Sequence, residues 1–247
     1  MNLSFRGGMI FLENSNYRQV VIDVWGDLAC FTRPECKVER NTYPCITPSA
    51  ARNLLCSIYM KPNEFYYEIE KIEVMNEIKY INIMKNELKE KIGQNFEPIY
   101  TRNPAKEKGR TQRNTVYLKN VYYRIYAKII KRNDWHGSIE ALYNQFNRRI
   151  HKGQCFRQPY LGLRECICHF SEPDLSKEVN KDINENIGNM LYDVFDIRSN
   201  VKLDTSKKNG NVTNISFFNA CIKEGILIVP EYNSDDIRRS KDVKTHL

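Results

Sequence analysis

The 247-residue chain has no apolar run near the roughly 20 residues that a membrane-spanning helix requires. The short apolar run at 9–12 is too brief for the apolar region of a signal peptide, so the expected location is the cytoplasm, with no membrane partner. There is no phosphate-cradling Walker loop, no dinucleotide-binding glycine fingerprint and no HExxH zinc motif, and no repeat of fixed period. The eight cysteines are scattered along the chain. Without an export signal they read as reduced thiols used as small apolar residues, not as a disulfide framework. The run CICH at 166–169 lacks the spacing and the second ligand pair of a zinc site. No metal and no cofactor is expected.

The composition is that of a globular protein, with 41% hydrophobic, 28% charged and 11% aromatic residues. A net charge of +8 fits a polyanionic partner, such as nucleic acid or an anionic membrane surface.

The alternating, β-rich stretch at 18–26 predicts a strand. A basic loop with Arg33, Lys37 and Arg40 follows. In TPSAARNLLCSIYMKP, Thr47 can cap a helix at 48–60 and Pro48 suits its first position. Two strands follow, joined near residues 76–77, and then a basic loop at about 88–114 that includes Arg113. NTVYLKNVYYRIYAKII at 114–130 predicts two β segments around 119–120. A second helix begins near Ser138, with Ile139, Leu142, Tyr143, Phe146 and Ile150 at helical spacing and Gly153 as its cap. Residues 160–170 predict another strand. The order strand, helix, strands, helix, strand is that of a ferredoxin-like βαββαβ unit. The expected class is therefore α+β: a ferredoxin-like domain at 17–170, a polar linker at 171–186 and a small antiparallel β domain at 187–232. Residues 1–16 form an N-terminal extension and 233–247 a tail.

Three clusters could carry chemistry. Arg52, Cys56 and Tyr59, four and three residues apart, fall on one face of the first helix. Arg52 could fork a phosphate and Tyr59 could move a proton, or Arg52 is simply solvated and Tyr59 half-buried. In VYYRIYAKII, Tyr122, Arg124, Tyr126 and Lys128 share one strand face, either as a stacking surface for single-stranded RNA or as an ordinary amphipathic strand. Arg148, Arg149 and Lys152 close the second helix, where cations complement the helix dipole with or without a ligand.

Three longer stretches resemble a known family: VWGDLACFTRPECKVERNTYPCITPSAARNLLCSIYMKP at 24–62, FNRRIHKGQCFRQPYLGLRE at 146–165, and MLYD at 190–193 with EGILIVP at 224–230. They are similar to the CRISPR-associated RAMP proteins of the Cas-five family, subtype I-C (Dvulg), over about 18–232. This resemblance implies an RNA-recognition-like ferredoxin domain and metal-independent cleavage of CRISPR precursor RNA, leaving a 2′,3′-cyclic phosphate. It also implies retention on the 5′ handle of the guide, beside other Cascade subunits of type I-C. The family's catalytic tyrosine falls on Tyr59. Its Lys-His pair at the start of the second helix falls on Ala141 and Leu142, so His136 is the candidate replacement, with Lys131 and Lys152 as weaker stand-ins. The expected RNA contacts are Arg33, Lys37, Arg40, Arg52, Lys61, Arg113, Arg124, Arg148, Arg149 and Lys152. The alternative is a subunit that binds the handle and nucleates assembly without cutting.

Overall fold

The computed structural model describes residues 16–36, 38–88, 110–194 and 215–239, and the backbone of two short paired strands, β1 (Leu3–Arg6) and β2 (Met9–Leu12). Lys37, expected to contact RNA, lies outside the described residues.

The alternation at 17–29 becomes β3 (Tyr17–Ala29), with Val20, Ile22 and Val24 buried on one face. Thr47 caps α1 (Pro48–Ile58), its hydroxyl accepting from the Ala50 N–H at 3.2 Å. Next come β4 (Phe65–Val74), β5 (Lys79–Leu88) and β6 (Arg110–Lys131). β6 is one strand and not the two segments expected. Asn120 sits at φ +51°, which asparagine tolerates, so the ladder changes partner there without ending. On one side β5 pairs with the strand before Asn120 and β4 beyond it, while β3 pairs along the other side from Leu118 onward.

α2 (Ile139–His151) starts at Ser138, and Gly153 follows it at φ +62°. The strand expected at 160–170 shrinks to β7 (His169–Ser171). Leu161, Cys166 and Cys168 are all buried, but from a loop closed by the Tyr160–Ile167 bridge. Residues 172–184 carry no strand, and backbone bonds such as Asn180 N–H to Val74 C=O (3.1 Å) hold them to the sheet. β8 (Glu185–Asp193), β9 (Ser216–Lys223), β10 (Ile226–Ile228) and β11 (Arg238–Arg239) then continue that sheet.

Among the described residues nine strands form one antiparallel sheet, in the order β7-β3-β6-β4-β10-β9-β11, with β5 added to β6 and β8 to β9. The class is α+β. Ile22, Ile125 and Ile72 lie side by side across β3, β6 and β4, fully buried. Leu54, Leu55 and Ile58 of α1 and Leu142, Phe146 and Ile150 of α2 complete that core. Each such side chain contributes about 1.5–3 kcal/mol of burial. No described helix is long and apolar enough to cross a membrane. The same core brings the C-terminal end of α1 against α2.

Candidate active site

α1 ends at Ile58, and Tyr59 is its cap in an extended conformation, its N–H donating to the Leu55 carbonyl at 2.9 Å. The change of backbone direction takes Tyr59 off the helical spacing. Tyr59 is 5% exposed, and its ring packs on Phe65, centroids 5.2 Å apart. Arg149 of α2 reaches across, donating to the Ile58 carbonyl at 3.0 Å with its guanidinium 5.4 Å from the centre of the Tyr59 ring. A last-turn carbonyl of α1 is thereby satisfied by a cation. The Nε of Arg149 is buried without a partner among the described residues.

A surface pocket of about 400 Å³ opens here, lined by Tyr59, Lys61, Glu64, Trp135, Ser138, Ala141, Leu142, Gln145 and Arg149. Burial raises the Tyr59 phenol above its ordinary value, with Lys61 partly opposing and Glu64 reinforcing the shift. Tyr59 is thus a protonated donor at neutral pH. Lys61 donates to both carboxylate oxygens of Glu64, at 2.9 and 3.0 Å, which raises its own pKa. The pocket can present a phenol O–H, an ammonium and a guanidinium to a phosphate. Among the described residues it contains no imidazole. His136 is exposed and does not line it.

Tyr59, Lys61 and Arg149 are therefore brought together, and most of the other expected contacts go elsewhere. Arg148 is exposed beside Gln145 (2.7 Å), and Lys152 is the exposed cap of α2. Arg52 does not share the Tyr59 pocket: it forms an ion pair with Asp193 of β8. The shared face required helical spacing through residue 59, and the helix stops one residue earlier. Arg124 is buried, donating to Asp23 from Nε at 2.7 Å and from Nη2 at 3.0 Å, and to the Asp174 carbonyl at 2.6 Å. The strand face expected to stack RNA bases is occupied in the same way. Tyr122 stacks on Trp25 and donates to Asp23, while Lys128 pairs with Glu70. Arg33 lies 4.5 Å from the Tyr43 ring centre, and Arg113 donates to Glu87 at 3.0 Å. Arg40 lines a different pocket. Sequence reasoning missed Trp135 and Gln145 in the pocket wall, and Phe156, whose N–H donates to the Ser57 carbonyl at 2.9 Å. Phe156 was present within the 146–165 stretch; Trp135 had no local signal.

Residues 19–230 match the family model described as CRISPR-associated protein (Cas_Cas5). The chain belongs to the Cas5 family. The CRISPR pre-crRNA endoribonuclease Cas5d of Thermus thermophilus is 36% identical over 227 residues, covering 90% of this chain and 95% of that protein. The protein of the same name from Mannheimia succiniciproducens is 34% identical over 239 residues, covering 90% and 99%. A crystal structure of a CRISPR-associated protein superposes with a TM-score of 0.60 at 20% identity, covering 90% of this chain and 96% of that one. A functionally uncharacterized protein from Streptococcus mutans superposes with a TM-score of 0.59 at 19% identity, covering 91% and 100%. These two likenesses concern the fold.

In this Cas5 chain, positions 141 and 142 of the Tyr59 pocket are apolar, although the family resemblance sets a Lys-His pair there. Leu142 is held in the α2 core stripe, and Ala141 is exposed at the rim.

Proposed function

We propose that this Cas5 chain binds CRISPR repeat RNA and cleaves the precursor without a metal, then stays on the 5′ handle of the guide in a type I-C interference complex. The carrying observation is the convergence of Tyr59, Lys61 and Arg149 in one pocket, in a chain whose curated relatives are pre-crRNA endoribonucleases. The neighbour order β7-β3-β6-β4, with α1 after β3 and α2 after β6, supports a ferredoxin-like core for the RNA-binding part.

RNA supplies its own nucleophile. The 2′-hydroxyl attacks the adjacent phosphorus in line, the bond to the 5′-oxygen breaks, and the products are a 2′,3′-cyclic phosphate and a 5′-hydroxyl. The proton of the 2′-hydroxyl passes to water. Tyr59, kept protonated by burial, donates a proton to the leaving 5′-oxygen and is reprotonated from solvent. Arg149 and Lys61 stabilise the extra negative charge on the phosphoryl oxygens.

A second reading, a handle-binding subunit that does not cut, draws on Ala141 and Leu142 in the pocket wall. The discriminating experiment incubates the purified chain with its own repeat RNA in EDTA and maps the ends. A single cut with a cyclic phosphate end supports cleavage. Tight binding with no cut selects the second reading, and the A141K/L142H variant should then gain cleavage.

A further inference from the structure

A second pocket, of about 290 Å³, shares no lining residue with the Tyr59 pocket. Its size lies near the lower end of small-molecule sites, about 300–1,000 Å³. One wall is the face of α1 that carries Ser49 and Asn53, four residues apart. The opposite wall is preformed. The Cys30 N–H at the end of β3 donates to the Leu161 carbonyl at 3.0 Å, and Gly162, at φ +86°, lies so close that a Cβ would collide with the Cys30 carbonyl. Arg40 is delivered from its loop by the Val116 N–H, which donates to the Arg40 carbonyl at 2.8 Å.

The lining chemistry is selective. Among the described residues Arg40 is the charged residue of the lining, and no carboxylate accompanies it. Among the described residues its guanidinium has no hydrogen bond or ion pair. Ser49 is 5% exposed, lines the pocket, and its hydroxyl finds no partner among the described residues. Tyr160 offers an aromatic ring that is 43% exposed. An uncompensated guanidinium suits a phosphate, and a hydroxyl without a protein partner can donate to or accept from a base edge. An exposed tyrosine suits a base, since every base has a stacking face. The first turn of α1 adds its dipole to the attraction for an anion.

We propose that this pocket receives one unpaired ribonucleotide of the bound RNA, with the phosphate at Arg40, the base against Tyr160, and the base edge toward Ser49 and Asn53. The inference rests on the RNA-binding reading above and adds a site separate from the cut.

The test is calorimetric titration of the full chain with AMP, GMP, CMP and UMP, and with ribose 5-phosphate and inorganic phosphate as controls. At least one mononucleotide should bind at least about fivefold tighter than ribose 5-phosphate, a difference that Tyr160→Ala removes. Arg40→Gln should weaken the same nucleotide by about fivefold or more. If Arg40→Gln fails to fold, the half-exposed Tyr160 carries the test. Repeat RNA should bind Tyr160→Ala at least about fivefold more weakly than it binds the unmodified protein. No binding of any mononucleotide, equal binding of ribose 5-phosphate or inorganic phosphate, or unchanged affinity in both variants overturns the proposal. A chain that binds a mononucleotide but no repeat RNA overturns the RNA-binding reading. Tight repeat binding with unaltered affinity in both variants overturns the pocket alone.

Discussion

Replacing Arg124 by methionine separates a structural arginine from an RNA contact. Asp23 is fully buried and the Arg124 side chain is 8% exposed. Asp23 accepts from Arg124 Nε at 2.7 Å, from Arg124 Nη2 at 3.0 Å, from the Tyr122 hydroxyl at 3.0 Å and from the Asp174 N–H at 2.9 Å. Methionine keeps the stem but leaves Asp23 with the last two donors and no compensating charge. Breaking a buried pair from one side costs about 3–5 kcal/mol. With a urea m-value of about 2–3 kcal/mol per molar, the unfolding midpoint should fall by roughly 1–2.5 M. The D23L/R124M pair removes both charges and should recover much of that loss, because the isolated buried carboxylate is the main cost. The assay is urea denaturation of the four proteins of the cycle, with repeat-RNA affinity measured on the folded fraction. An R124M protein with an unchanged midpoint and weakened RNA binding would refute the reasoning and return Arg124 to the RNA face.

Tyr59→Phe should slow repeat cleavage at least about tenfold, roughly 1.4 kcal/mol of barrier, with RNA affinity nearly intact because Phe keeps the ring packed; a full-rate variant removes Tyr59 from the mechanism. Replacing Arg148, Arg149 and Lys152 together by glutamine should weaken RNA binding and make the log–log salt slope shallower by about 0.7 for each phosphate that is no longer neutralised. An unchanged slope, read from binding across a salt series, would leave these residues a dipole and packing role. Burial pushes the Cys45 and Cys168 thiols up to about 12, whereas an unfolded thiol titrates near about 8.5. The folded state holds those protons longer, so their contribution is complete below about pH 8.5 and is lost as pH rises toward 12, by up to about 1.4 kcal/mol per pH unit per thiol. Urea midpoints should fall with pH above about 8.5, less steeply in Cys45→Ala; a flat profile refutes it.

The sequence alone determined the features that depend on near neighbours. Thr47 and Pro48 start α1, Gly153 follows α2, and the alternation in β3 and β6 appears because caps and periodicity are properties of a few consecutive residues. Long motifs carried the family for the same reason: they are contiguous. Tertiary structure decided which cations remain free to meet a ligand. The partners of Arg52 and Arg124 lie 141 and 101 residues away, and nothing in the local pattern names Asp193 or Asp23. The pocket at Tyr59 arose where Tyr59 leaves the helical course of α1 and Arg149 arrives from α2, 91 residues beyond the carbonyl it binds. Helical spacing could align Arg52 with Tyr59 on paper, but only packing determines where a helix stops and what crosses its end. Leu142 shows both sides of this. Its spacing marked it as core, and the fold made that same core position a wall of the candidate active site.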